Sequence, residues 1–238
     1  MENETRTHDY SRIPFFQGEN LKPGSLVLIE NISSPPGAKL SFYALLKVSK
    51  EKGIPLIVED IFDTLPIYVK HIELMGFYVP SESINVIKVA GIDSVGNVVE
   101  KLSFEADPNF YIPKKERAVS KIVGDNTPPH ILLILGLERL LMFQRNLRDL
   151  YPIVRYFREN LNSPPNRATV SIIETPVLNS IKPNPLPMLE SVASSVIELY
   201  MENEALIVRP KKALSLFTVN AERFKVSLGD IVEVLREW

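Results

Sequence analysis

The sequence predicts one α/β domain on a mainly parallel sheet, flanked by helices and closed by a C-terminal β-hairpin. Three observations carry this. Short, almost wholly apolar runs recur along the chain, as strands buried on both faces require. Segments with apolar residues three and four apart alternate with them. Glycine ends several of those segments, where a helix stop is expected.

The elements follow in order. Residues 1–21 read as an N-terminal arm, dense in turn formers from Ile13 to Gly24, and residues 22–238 as a single domain. "SLVLIE" (25–30) is a buried strand, "KLSFYALLKVSKEKG" a helix stopped by Gly53, and "IPLIVE" (54–59) a second strand. That order is a βαβ unit, which demands a parallel pair with a right-handed crossover. The next helix has Asp63 as its expected N-cap and Gly76 as its stop, and "INVIKVAG" (84–91) is a third strand. A hairpin partner or edge strand is expected near 96–104, and a short helix over 114–125. "HILLILG" (130–136) is a fourth buried strand, followed by a long helical stretch over 137–162 with a kink or break at Pro152. "RATVSIIET" (167–175) is a fifth strand. A proline-rich loop follows over 175–188, then a hairpin turning at 202–204 and a closing strand or helix.

Composition removes several functional classes. The chain has no cysteine, which excludes disulfides and thiol chemistry, and three histidines, His8, His71 and His130, too few for a histidine-rich metal site. No metal site is expected. A net charge of −2 gives no strong field toward nucleic acid or acidic membranes. The N-terminus has no apolar h-region, and the longest apolar run is too short to span a bilayer, so a cytoplasmic protein without a membrane partner is expected. The absence of cysteine, the 19 prolines and the abundance of Ile, Val, Glu and Lys fit a thermophile.

The stretch "SSPPGAKLS" (33–41) stands between the first strand and the first helix, where a phosphate-binding loop belongs. Such a loop needs two glycines so that backbone N–H groups curl around phosphates, a lysine for the β/γ-phosphates, and a hydroxyl for Mg²⁺. With Lys39 in the lysine position, Ser33 and Ala38 replace the glycines and Leu40 replaces the hydroxyl. A one-residue slip brings Ser41 to the hydroxyl position but loses the lysine. The same letters also fit a Pro-Pro-Gly turn with Lys39 on a solvated first turn. The candidate nucleotide- or anion-binding set is therefore Ser33, Ser34, Gly37, Ala38, Lys39, Leu40 and Ser41.

"PGSLVLIE", this loop, "SFYALLKVSKEKGIPLIVED", "YVKHIELMGF" and "HILLILGLERLL" resemble, in order and spacing, the KaiC/RecA-like P-loop ATPases. The resemblance runs with gaps from about Lys22 to about Pro210. It extends to a small uncharacterised family of such proteins from hyperthermophilic archaea. It implies a RecA-like P-loop NTPase fold and puts the family's lysine on Lys39. Its water-activating glutamate falls on Glu59, with Asp60 beside it; both residues also fit as loop caps. The magnesium aspartate should close the fourth strand, but Leu135 and Gly136 stand there, and Glu138 follows on the helix as a cap or a partner of Arg139 or Arg145. With both magnesium positions lost, no cofactor is expected and hydrolysis is disfavoured.

The reading is therefore a degenerate, non-catalytic ATPase relative that binds a protein or peptide, or another copy of itself. The alternative is an atypical ATPase using ATP, Mg²⁺, Lys39, Glu59 and Asp60. A second alternative is nucleic-acid binding through a basic face of Arg145, Arg148, Arg155 and Arg158, which also reads as a solvated face with ion pairs. Phe15 and Phe16 in the arm are candidates for docking on a partner or a second copy, or for covering the domain's own sheet edge.

Overall fold

A computed structural model describes residues 21–105, 107–124, 128–144, 146–161, 166–213, 223–227 and 229–230. The arm with Phe15 and Phe16 lies outside the described residues, as does Arg145.

The elements are β1 (Leu26–Asn31), α1 (Gly37–Lys52), β2 (Leu56–Ile61), α2 (Thr64–Leu74), β3 (Asn85–Val89), β4 (Asn97–Leu102), α3 (Pro108–Val123), β5 (His130–Leu135), α4 (Leu137–Leu141), α5 (Leu147–Asn160), β6 (Arg167–Glu174), α6 (Thr175–Ser180), α7 (Leu186–Val192), β7 (Ser195–Glu202), β8 (Ala205–Lys212) and β9 (Phe224–Ser227). The strands form one sheet in the order β4-β3-β2-β5-β6-β1-β7-β8-β9. The first seven are parallel; β8 and β9 are antiparallel additions. The expected fold class is the observed one.

Alternation along each strand divides the core in two. Val27 and Ile29 of β1 pack with α1 and α2 through Phe42, Leu45, Leu65 and Ile72. Leu26 and Leu28 pack on the opposite face, in a layer that includes Tyr111 of α3, Leu140 of α4, Ile153 of α5, Leu178 of α6 and Leu189 of α7. The crossover from β1 to β2 thus uses one face of the sheet. Those from β4 to β5, β5 to β6 and β6 to β7 use the other. The carboxyl ends of β1, β6, β5 and β2 face the crevice where sheets of this kind bind ligands.

Local chemistry explains most boundaries. Gly53 takes the left-handed conformation that ends α1, and its N–H bonds to Lys50 O. Asn203 and Glu204, both at positive φ, form the tight β7–β8 turn, at the expected place. Asn146 caps α5, its Oδ1 accepting from Arg148 and Asp149 N–H.

Of the two readings of 96–104 the edge strand holds: β4 ends the sheet and runs parallel to β3. Four expectations need correction. Helix α3 starts at Pro108, because Asp107 caps it and proline suits the first turn. The long helix after β5 is two helices, α4 and α5, and Pro152 lies within α5 without ending it. The proline-rich stretch after β6 is largely helical, in α6 and the start of α7. Asp63 does not cap α2 with its side chain; it sits at φ 57° and bonds Lys88 and the Ile92 N–H. Asp60 takes over, accepting from Leu65 N–H at 2.8 Å. Among the described residues no helix is long and apolar enough to cross a membrane.

Candidate functional site

The loop after β1 does not open toward a ligand. Pro35 and Pro36 have no N–H to offer. Two further amides are used internally: Ser34 N–H donates to Asn31 Oδ1 at 3.3 Å and Gly37 N–H to Ser34 Oγ at 2.9 Å. A Cβ on Gly37 would lie 2.6 Å from that same Oγ, so glycine here makes room for the serine cap, not for a phosphate. Ser41 is fully buried and donates its hydroxyl back to Gly37 O at 2.9 Å. Ala38 and Leu40 are core residues, and Ser33 is exposed at the bend.

Lys39 is neither solvated nor open to an anion. Its side chain is 14% exposed; its Nζ lies 3.6 Å from Glu174 Oε1 and 5.3 Å from the centre of the Tyr68 ring. The other Glu174 oxygen accepts from Asn31 Nδ2 at 2.6 Å. Glu174 ends β6, directly beside Asn31 at the end of β1 in the parallel register. The sheet itself thus brings the carboxylate to the lysine.

Strand β2 runs to Ile61, so Glu59 and Asp60 lie inside it and not in the following loop. Glu59 points to the face opposite α1, where Lys115 of α3 lies 3.3 Å away and both side chains are buried. Burial pushes the Glu59 carboxyl up, with Lys115 opposing. Asp60 binds Lys88 at 2.8 Å and the start of α2. The sequence-derived group of Lys39, Glu59 and Asp60 is therefore not assembled: Lys39 and Glu59 are on opposite faces of the sheet.

The strand-end position that lacks an acid has no space for one. Leu135 is fully buried, and a Cβ on Gly136 would meet Ile61 O and Thr64 Oγ1, each at 2.5 Å. Two residues on, Glu138 turns inward instead of capping. It is 4% exposed, and Arg139 donates to Phe62 O rather than bonding it. Burial pushes the Glu138 carboxyl up to about 7; N–H groups of Glu138 and Glu174 and the Arg139 charge oppose this, while the Glu174 charge adds to it. The Tyr68 hydroxyl is pushed up by burial and then by Glu174 and Glu138, which places all three in one electrostatic neighbourhood.

The crevice thus gathers Asn31, Lys39, Tyr68, Glu138, Glu174 and Thr175. Of these, the sequence marks only Lys39 as a ligand candidate, and Glu138 reads there as a cap or a partner of Arg139 or Arg145. The available signal was polar residues just past buried apolar runs, Asn31 after "LVLIE" and Glu174 after "SII".

Of the basic face, Arg148, Arg155 and Arg158 are exposed on α5, and Arg155 bonds Glu159 at 2.7 Å, as a solvated face would have it. An open groove runs between α3 and α5, lined by Phe143, Tyr151, Pro108, Pro152 and both signs of charge. Phe143 also belongs to an aromatic cluster with Phe62 and Phe104, at ring separations of 4.6–5.7 Å. Among the described residues, no group of three or more acidic or histidine side chains could hold a metal ion.

Solved structures share this architecture. A structural-study target from Pyrococcus horikoshii OT3 is similar at 23% identity, with a TM-score of 0.69 over 89% of this chain and 96% of that one. A KaiC-like protein from the same hyperthermophilic archaeon is similar at 13% identity, with a TM-score of 0.54 over 85% of this chain and 83% of that one. At those identities the likeness shows the fold. No curated protein matches the chain. Residues 18–223 match the family described as Pyrococcus protein of unknown function, DUF257, and the chain belongs to that family.

Proposed function

We propose that this protein is a KaiC-like binding module that does not hydrolyse nucleotide and acts through a protein or peptide partner. The observation that carries the reading is the closed state of the β1–α1 loop. The Ser34 and Gly37 amides are bonded close by, two of its residues are prolines, and its lysine lies against Glu174. A triphosphate would have to break these bonds and enter beside two carboxylates, Glu174 and Glu138. In a partly desolvated crevice, like charge works against it.

The α3–α5 groove supports the partner side of the reading. Phe143 and Tyr151, which line it, are 50% and 57% exposed, and exposed aromatics beside a groove are the usual anchor for a polypeptide. Its charges are Arg148 and Arg155 against Asp107, Asp149 and Glu159. That mixture suits a protein surface better than a polyanion, so nucleic acid is the less favoured partner.

Titration calorimetry with ATP, with and without Mg²⁺, tests the central claim. No saturable heat is expected in either buffer, and no Mg²⁺-dependent hydrolysis at high temperature. Turnover that Lys39→Ala abolishes would overturn it.

A further inference from the structure

One open cavity of about 620 Å³ at the α3–α5 groove is lined by Phe143, Arg148 and Tyr151 together. Pro108, Asn109, Tyr151 and Pro152 line both it and an adjoining space of about 350 Å³. The ring of Phe143 is supported from behind. Phe104 lies 4.6 Å from it, and Phe62 stacks on it at 5.7 Å. Phe62 holds that place at φ 52°, which a residue with a Cβ rarely adopts, and its carbonyl accepts from Arg139 Nη1 at 2.6 Å. Strained backbone of this kind is kept only where its surroundings fix it, and it clusters at binding sites. The charges around the groove are not equally available. Asp107 accepts from the N–H and Nδ2 of Asn109, each at 2.9 Å. Asp149 accepts from Asn146 Nδ2 at 2.9 Å, and Glu159 pairs with Arg155 Nε at 2.7 Å. Arg148 differs: it is exposed, and its guanidinium has no hydrogen bond or ion pair among the described residues. It stands three residues before Tyr151, so α5 carries the two on one side.

We propose that this cavity seats an aromatic side chain of a protein partner, while a neighbouring Asp or Glu of the same segment binds Arg148. The inference rests on the reading that the groove takes a polypeptide, and it names what that polypeptide carries. The volume lies within the range of about 300–1,000 Å³ usual for ligand pockets. A partner ring packs against the supported Phe143 and meets Tyr151, in the offset or edge-on contacts that aromatic pairs prefer. Seating it removes water from Arg148. A guanidinium that loses water needs a new acceptor, and a carboxylate fits it with two parallel N–H bonds. A basic segment matches less well, because the groove's carboxylates would have to leave their present partners. A polyanion also matches less well, since a single unengaged cation stands among Asp107, Asp149 and Glu159.

Three fluorescent decapeptides on a Gly-Ser background test this with the full-length protein by anisotropy. The first carries Phe residues flanked by Asp, the second has every Asp replaced by Lys, and the third has every Phe replaced by Ala. The Phe–Asp peptide should bind saturably and about tenfold tighter than either of the others. Arg148→Gln should bring the Phe–Asp and Phe–Lys peptides to within about twofold of each other. Phe143→Ser should weaken the Phe–Asp peptide about tenfold, and Tyr151→Ser repeats that test away from the aromatic stack. All variants are checked for folding by circular dichroism. Arg158→Gln removes a charge from the same helix without touching the cavity and should change nothing. Tighter binding of the Phe–Lys peptide would overturn the proposal. So would an Asp preference that survives Arg148→Gln or falls equally in Arg158→Gln, or affinity unchanged in both Phe143→Ser and Tyr151→Ser. Saturable binding of an oligothymidylate lost in Arg148→Gln would overturn it in favour of nucleic acid. Equal binding of the Phe–Asp and Phe–Lys peptides would overturn the inference and leave the proposed function standing. No binding of any of the three would overturn both the inference and the groove's part in that function.

Discussion

The layer under α3 and α5 and the strand-end crevice treat buried charge differently. Under α3 and α5 the buried charges sit in ion pairs. Arg167 forms a two-pronged pair with Glu116 at 2.8 and 2.9 Å; the Tyr156 hydroxyl donates to the same carboxylate at 2.7 Å; and Lys115 sits 3.9 Å from the centre of the Tyr156 ring and 3.3 Å from Glu59. His130 continues the network, with Nε2 3.3 Å from Arg167 Nε. In the crevice, Glu174 is held loosely by Lys39, and among the described residues Glu138 forms no ion pair. Burial acts on both carboxylates, yet the outcomes differ. Burial alone would raise Glu116, but Arg167, Lys115 and the Tyr156 hydroxyl hold it below the usual carboxylate range, while Glu138 is pushed up to about 7. Fully paired buried charge fixes a fold. Unpaired buried charge at a strand end has a stability cost.

The largest effect should come from breaking the paired side. Arg167→Met removes the guanidinium and leaves Glu116 half-buried without its cation, with His130 and Tyr156 losing a neighbour. Truncating one partner of such a pair costs about 3–5 kcal/mol. Guanidinium chloride denaturation should show that loss with an unchanged slope. A loss under about 1 kcal/mol would mean that the network is as solvent-screened as a surface pair, and the contrast between the two regions would disappear.

The crevice should respond in the opposite direction. The Glu138 carboxyl titrates higher folded than unfolded, so the folded state holds the proton more tightly. Its contribution is complete below the ordinary glutamate range and is lost as pH rises through about 7. Glu30 adds to the same trend. Burial pushes it up to about 7 despite Lys211, with Glu190 and Glu198 adding to the rise. Glu138→Gln should therefore raise stability by about 2–3 kcal/mol at pH 8.5 and leave it almost unchanged at pH 5. Denaturation at pH 5, 7 and 8.5 reads this directly. Loss of stability at pH 8.5 would show that the Glu138 anion is well solvated or paired.

How much of this could be read from letters depends on range. Strands β1, β2, β5 and β6 were legible because an apolar run needs no partner to be recognised, and α1 because Gly53 marks its end. The parallel pairing of β4 was not, since "NVVEKL" alternates like any edge strand and its partner is fixed only by the sheet. The site was harder still. The gap at Leu135–Gly136 was visible, but its cause, contact of Gly136 with Ile61 O and Thr64, lies between residues more than seventy positions apart. Glu59 looked like the end of a strand because two further residues of β2, Asp60 and Ile61, look like loop and helix start. Alternation along β2 puts Glu59 on the face of Ile57 and Ile61, away from Lys39. Glu174 meets Lys39 only because β6 lies beside β1, which nothing local in the sequence states.

The smallest effect, and the sharpest for function, concerns Lys39. Its contact with Glu174 is long, at 3.6 Å, and both side chains keep some solvent, so Lys39→Met should change stability by only about 0–1 kcal/mol. The fold does not depend on this lysine; the question is whether an anion does. If the loop kept a phosphate-binding role, inorganic phosphate would raise the Tm of the wild type along a saturable curve, and Lys39→Met would abolish it. If Glu174 is the proper partner, phosphate should give the same shallow, unsaturable response in both proteins, since Glu174 already faces the ammonium and the Ser34 and Gly37 amides are already bonded. Glu174→Gln sharpens the comparison further. It frees Lys39 while leaving an amide to bond Asn31, and weak phosphate binding should then appear where the wild type has none. That gain would identify the strand-end carboxylate as what converted a nucleotide loop into a closed one. Its absence would show that the prolines and the Ser34 cap suffice to keep the loop shut.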